Sequence, residues 1–230
     1  VAQQERAIRT RQKIIVEAAK VFDEVGYEAT KITDILERAG LTKGALYFHF
    51  ESKRELAQAV LDAQADVLPE IAPHELKLQE AIDGAQVLSR LLQPKTGDPI
   101  FQGSVRLTVD AGSAKDGLDR RVPMRAWNEI NQIKFREAQM NGELLPHLDI
   151  EAVSWMMTAT FTGTQVMSSI MTNRQDMPER MADLHRMLLA SIAVPGVLAR
   201  LDFSPERGRR LYEQAVKGAA RGALSGGAAG

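Results

Sequence analysis

The chain of 230 residues contains no cysteine. A disulfide framework, a cysteine zinc site and thiol catalysis are therefore excluded. Aromatic residues are scarce, at 5%. With alanine-rich stretches recurring, that argues against an all-β domain. Neither charge sign dominates: 29 Lys and Arg stand against 30 Asp and Glu, a formal net charge of -1. A bulk basic footprint for nucleic acid is absent, so any such site must be local. Residues 1–13 are polar and charged, with no apolar leader behind them. That predicts a cytoplasmic protein. Long apolar runs are also wanting. The charge-free stretch 152–173 approaches the length of a bilayer crossing. Yet Ser154, Thr158, Thr160, Thr162, Thr164, Gln165, Ser168, Ser169, Thr172 and Asn173 make nearly half of it polar. It reads as a buried helix whose hydroxyls bond back to their own carbonyls, and no membrane partner is expected.

What is present is an ordinary globular mix, 44% hydrophobic and 26% charged, arranged with helical periodicity. Ile8, Ile15, Ala18, Ala19, Phe22 and Val25 predict a helix over 6–25, stopped by Gly26. Thr30 is expected to cap a second helix carrying Ile32, Ile35, Leu36 and Ala39, which Gly40 ends. Thr42 opens a third over 43–49. Ser52 and Glu55 form a capping box before a fourth, with Leu56, Val60, Ala63 and Val67 on one face. Further helices are predicted on the stripe Leu78 to Leu92, over 100–110, from Pro123 to about Asn141, from Asp149 through the uncharged stretch, from Pro178, and from Pro205 to about Ala220. Residues 111–122 read as a mobile loop. The fold class is all-α. The divisions are a helix-turn-helix domain over 1–52, a ligand-binding and dimerisation domain over 53–222, and a disordered tail over 223–230.

The second and third helices, separated by Ala39-Gly40-Leu41, have helix-turn-helix spacing. The second member of such a pair presents its N-terminal end to the major groove. Here that end is Thr42, Lys43, Gly44 and Ala45. Lys43 can donate to guanine or to phosphate, and Gly44 lets backbone approach DNA closely. Tyr47 and His49 lie a turn further on, within reach of phosphates. Lys53 sits at a positive helix N-terminus. Thr30 can bond a phosphate, and Arg6, Arg9, Arg11 and Lys13 form a basic arm. Against this, residues 1–63 hold ten basic and ten acidic side chains, so spacing alone leaves a solvated Lys43 and a packing Tyr47 open.

The run Gly26-Tyr27-Glu28-Ala29-Thr30, then Ile35, then Ala39 to Phe50, then Ser52-Lys53 and Leu56 resembles the DNA-binding domain of TetR-family repressors. The resemblance implies recognition through Lys43, Gly44, Tyr47 and His49, with Thr30 and Lys53 on phosphates. Lys31 replaces the small hydroxyl residue common there and can add a phosphate contact. Residues 97–108, residues 193–198 and Trp127, the one tryptophan on the helix after the mobile loop, resemble the γ-butyrolactone receptors of streptomycetes. That implies a dimeric repressor of antibiotic-biosynthesis or regulatory genes on a palindromic operator in double-stranded DNA. Its release would come from a γ-butyrolactone, butenolide or furan autoregulator.

Such a ligand needs an apolar site with a few directed hydrogen bonds. The resemblance puts Trp127 against the lactone, as wall and indole donor. Thr162 and, one turn earlier, Thr158 are candidate polar contacts. Gln64 stands beside the apolar stripe of the fourth helix, and Phe161, Val166, Val87 and Leu91 are candidate walls. Dimerisation is expected through the uncharged helix and the Pro178 helix, with Met181, Leu184, Leu188 and Ile192 facing a symmetry mate or the protein's own core. His49, His74, His147 and His185 are scattered, and glycine-rich phosphate loops and nucleophile elbows are missing. No catalytic residue, metal or cofactor is expected. A drug- or lipid-sensing repressor of an efflux gene is the alternative, and a lactone-processing enzyme a distant one.

Overall fold

The 3.6-residue apolar period is realised as eleven α-helices and one 3₁₀ turn among the described residues. The computed structural model describes residues 2–110 and 116–226, with side chains from 3 to 217. No strand forms among them; Leu144 and Ala193 make a single antiparallel bridge. Nor is any described helix long and apolar enough to cross a membrane. Packing divides the chain into residues 1–68 with 97–123, and residues 69–96 with 124–230.

In the first unit, α1 spans Ala2–Ala29 and breaks at Gly26, whose φ of 76° only glycine adopts without strain. The helix thus begins upstream of residue 6, and Arg6 and Arg9 lie on it rather than on an arm. It is followed by α2 (Ile32–Ala39), α3 (Lys43–Tyr47) and α4 (Lys53–Asp62), then a 3₁₀ turn at Ala65–Val67. Thr42 caps α3 through the Ala45 amide, at 3.3 Å. Ser52 caps α4 through the Glu55 amide, at 3.1 Å. The return half of the capping box lands one residue early, Glu55 accepting from the Glu51 amide at 2.6 Å. Thr30 does not cap α2. Lys31 holds that position without a side-chain bond, and the buried Thr30 hydroxyl donates to the Gly26 carbonyl at 2.6 Å.

The core of this unit joins Ile14, Ile15, Ala18, Phe22, Ile35, Leu46, Phe50, Leu56 and Val60 with Ile100 and Leu107. The first unit is therefore wider than the 1–52 span. It includes α4, whose Leu56 and Val60 fill its core, and the helix Pro99–Val109, numbered α6 in chain order. Residues 97–108, read with the second domain, thus pack with the first. The cause is a close helix crossing. A Cβ on Gly103 would stand 2.4 Å from the Ala19 carbonyl oxygen, so only glycine admits the α1 backbone. The following loop is tied down at its end. Arg120 donates to the Leu107 carbonyl at 2.8 Å and pairs with Asp116. Its guanidinium holds the Asp116 carboxyl below the usual range. Residues 111–115 of the expected mobile loop lie outside the described residues.

The second unit contains α5 (Lys77–Leu91), most of α7 (Arg121–Met140), α8 (Ile150–Thr172), α9 (Met177–Ile192), the short α10 (Pro195–Leu198) and α11 (Pro205–Gly226). α7 starts two residues before Pro123. α11 absorbs residues 223–226 of the expected tail, and 227–230 lie outside the described residues. Asp149 caps α8, but α5 is capped from a distance. Buried Glu143 accepts from the Lys77 and Leu78 amides at 2.8 and 2.9 Å. Asp83 on α5 receives a two-point bond from Arg207 on α11, at 2.6 and 2.7 Å. The core joins Leu78, Ile82, Phe135, Ala138, Val153, Met157, Leu189 and Ile192.

Candidate functional site

The nucleic-acid face is built by short local rules. Gly40, at φ 59°, turns the chain out of α2. Thr42 then starts α3 with Lys43 and Gly44 at its exposed leading end. Leu46 and Phe50 drop into the core, nearly fully buried, and anchor the helix. The residues between them must face outward. Tyr47 is 43% and Phe48 79% exposed. The Lys43 ammonium lies 5.8 Å from the Tyr47 ring centroid, one helical turn away. His49 is half-buried and meets Phe48 edge-on at 5.0 Å. Gly44 has open space around the position of a Cβ. Nothing inside the described chain requires glycine there, although it costs about 1 kcal/mol of helix propensity. Arg6, Arg9 and Lys31 are exposed on the same unit.

Two predicted phosphate contacts have other work in the structure. Thr30 is buried and bonded within the chain, as described above. Lys53 spends its three protons on backbone carbonyls: Tyr27 at 2.8 Å, Thr30 at 3.1 Å and Glu28 at 3.3 Å. Its ammonium also lies 4.5 Å from the Tyr27 ring centroid. Burial, reinforced by Asp116 and Glu28, pushes the Tyr27 phenol up from its ordinary value. Lys53 is thus a clamp between the start of α4 and the turn after α1. Conversely, sequence reasoning passed over Phe48, which sits in an aromatic run and reads as core. The available signal was helical phase: Leu46 and Phe50, four apart, share the inward face, and Phe48 lies about 200° round the helix from Leu46.

In the second unit a polar bond sets the register of α7 against α8. Asn131 donates to the Thr158 hydroxyl at 2.9 Å. Gln139 near the end of α7 donates to the Leu148 carbonyl just before α8 at 3.1 Å, so with the Asn131–Thr158 bond the two helices run antiparallel, and Phe135 and Ala138 of α7 share a core with Val153 and Met157 of α8. One turn back from Asn131 is Trp127, and one turn on from Thr158 is Thr162, so the two stand at one level of the seam. Both are half-buried. The Thr158 and Thr162 hydroxyls donate to Ser154 and Thr158 carbonyls at 3.1 and 2.8 Å. The expected back-bonding is therefore present, and their oxygens keep acceptor capacity. Asn131 was missed, although its spacing of four from Trp127 was readable.

The remaining candidates are distributed otherwise. Val87 and Leu91 are buried on α5. Phe161 and Val166 are half-buried on α8, Val166 turned toward that helix's exposed side. Gln64 is buried in the first unit, in the turn after α4. A shallow hollow between Arg136, Met140, Leu148 and Glu151 contains none of them. No group of three or more His, Asp or Glu gathers among the described residues to hold a metal.

Three of the four residues of the expected interface stripe on α9 face inward, and Leu184 is half-buried. Met181 and Ile192 are buried and Leu188 packs on the unit's own core. The exposed apolar surface lies elsewhere, at Trp155, Met167, Ile170 and Met171 on α8 and Met187 on α9. On α8 these continue the small residues Ala152, Ala159 and Gly163, all exposed, into one uncharged stripe.

Residues 14–60 match the family described as bacterial regulatory proteins, tetR family. Residues 87–195 match the family described as tetracyclin repressor-like, C-terminal domain. The A-factor receptor protein of Streptomyces griseus is 35% identical over 221 residues, which are 96% of this chain and 76% of the relative. The crystal structure of full-length native TylP, a TetR regulator from Streptomyces fradiae, is 51% identical, with a TM-score of 0.82, over 91% of this chain and 99% of that one. A γ-butyrolactone receptor described as ArpA-like is 26% identical, with a TM-score of 0.70, over 91% of this chain and 99% of that one.

Proposed function

The chain belongs to the TetR family of bacterial regulators, and from that premise we propose a dimeric repressor that a small lactone signal releases from a palindromic operator. Regulators of this family are DNA-binding transcription factors and not enzymes. The finer reading rests chiefly on one observation: the Asn131–Thr158 bond puts Trp127 and Thr162 at one level of the α7–α8 seam. An indole wall beside a hydroxyl suits a ligand with an alkyl tail and a few oxygen handles. The likeness to an A-factor receptor and to a γ-butyrolactone receptor supports the same class of signal.

On DNA, α3 enters the major groove. Lys43 donates to guanine O6 or N7, and exposed Phe48 offers an apolar face to a thymine methyl. Gly44 admits the sugar-phosphate backbone, and Tyr47, His49, Lys31, Arg6 and Arg9 serve phosphates. Two copies associate through the uncharged stripe of α8 with Met187 of α9, an apolar surface that solvent covers at a cost. Two-fold symmetry then requires a palindromic site, with reading helices roughly 34 Å apart. A ligand favouring another spacing lowers operator affinity by the same coupling. The controlled genes would be those of antibiotic biosynthesis or its regulation.

A gel-shift release screen with γ-butyrolactones, butenolides, furans, antibiotics and fatty acids tests this. Release by a lactone or butenolide at micromolar level or below supports the reading. Release by drugs or lipids alone would replace it with an efflux-type repressor.

A further inference from the structure

Buried polar atoms in this protein are, as a rule, paired. Along α8 the buried Ser154 hydroxyl bonds Ile150, and Ser168 bonds Asp176. Asp83 and Glu143, deep in the second unit, each hold several donors. Besides Nε of Arg90 and Arg106 and Nδ1 of His185, two amides on the α7–α8 seam stand against that habit. Gln165 is 1% exposed, and its Nε2 has no partner among the described residues. The Oδ1 of Asn128 is likewise buried without one. Such atoms are rare in native interiors, because each forfeits hydration for nothing. Gln86 also has an unpaired oxygen, but its amide nitrogen bonds the Pro178 carbonyl and the oxygen lies against Gly208 of α11.

Helical geometry puts Gln165 and Asn128 around the level of Trp127 and Thr162. Gln165 is two turns beyond Thr158, and seven residues return it to within about 20° of the same face. Asn128 is one turn before Asn131, beside Trp127. Starting from the Asn131–Thr158 bond, the two side chains originate about 6 Å apart along antiparallel helices. One offers a donor and the other an acceptor.

We propose that Gln165 and Asn128 read the polar groups of the signal. The Gln165 amide donates to a carbonyl or ring oxygen, and the Asn128 oxygen accepts a ligand hydroxyl. The assignment rests on the lactone reading above and sharpens it, since the signal must carry a free hydroxyl as well as an oxygen acceptor. Apolar ligands of similar size would leave both amides unpaired and bind poorly.

The test uses full-length protein and calorimetry with a synthetic γ-butyrolactone bearing an alkyl tail, a carbonyl and a primary hydroxyl, and with its O-methyl ether. Wild type should favour the free hydroxyl by about 10-fold or more. Asn128→Leu should lose that preference, binding both compounds equally and weakly. Gln165→Met should weaken both compounds by about 10- to 100-fold and keep the preference. Without ligand, Gln165→Met should melt no lower than wild type, because an unpaired group has been removed. Should it fail to fold, the preference of Asn128→Leu still decides. Variants with wild-type affinity and preference would overturn the proposal while leaving the lactone reading intact. Wild type blind to both compounds would overturn the lactone reading and the proposal together.

Discussion

Replacing Lys53 by alanine separates two roles for one cation. In the structure its ammonium bonds three carbonyls at 2.8, 3.1 and 3.3 Å and covers the Tyr27 ring at 4.5 Å. Hydrogen bonds to a charged group are worth about 1.5–3 kcal/mol each when well protected. This side chain is half-buried and the Glu28 carbonyl is exposed, so water can replace part of the set. A net loss of about 2–3 kcal/mol follows, the ring contact contributing about 0.5–1 of it. For a chain of this size that lowers the melting temperature by about 5–10 °C. The assay is thermal and urea unfolding at one fixed protomer concentration, because association shifts apparent stability. Operator affinity is then measured across a salt series with folded protein. A clamp leaves the slope of log affinity against log salt unchanged. A phosphate contact flattens it by about 0.9 per protomer. Wild-type stability with a flattened slope would refute the clamp.

Gly103→Ala should destabilise the first unit by about 1–3 kcal/mol, because the added carbon meets backbone at Ala19 that cannot step aside. An unchanged urea midpoint would mean α1 and α6 do not cross so closely. His185 is buried, and burial holds its imidazole down at about 4. The unfolded chain binds that proton nearer pH 6.5, so stability present above 6.5 is lost as pH falls toward 4, by about 2 kcal/mol between pH 7 and 5. His185→Leu should remove that part of the pH dependence, and an unaltered profile would count against it. Lys43→Ala should cost about 1–3 kcal/mol on operator and much less on random DNA, read by competition binding. Equal losses on both would remove Lys43 from the base readers.

Local signals were readable wherever a helix end depends on one neighbouring side chain. Thr42, Ser52 and Asp149 cap where the sequence puts them, Gly40 and Gly142 stop their helices at positive φ, and Gly26 breaks α1 the same way three residues before its end. The family motif around α3 was legible for the same reason, since caps, turn and anchoring residues lie within a few positions. Long-range pairings were not. Lys53 finds acceptors 23 to 26 residues upstream, and Glu143 caps α5 from 66 residues away. Neither spacing leaves a periodic trace. α6 looks like any amphipathic helix until the Gly103–Ala19 approach shows which core it joins. On α9 the apolar stripe was visible, but an apolar face is the same whether it meets its own core or a second chain. The seam was half legible: Trp127, Thr158 and Thr162 were named, while Asn131 and the unpaired amides needed the register that one hydrogen bond supplies.

The most direct measurement is a gel-shift titration of the operator complex with a γ-butyrolactone that releases wild type, repeated on Trp127→Ala. The proposed DNA contacts precede position 54 and Trp127 lies on α7 in the other unit, so operator affinity should be nearly unchanged. Losing a half-buried indole wall should cost about 2–4 kcal/mol of ligand affinity. Release should then need roughly 30- to 1000-fold more lactone. Release of both proteins at the same concentration would contradict the account, because the α7–α8 seam would then not hold the signal.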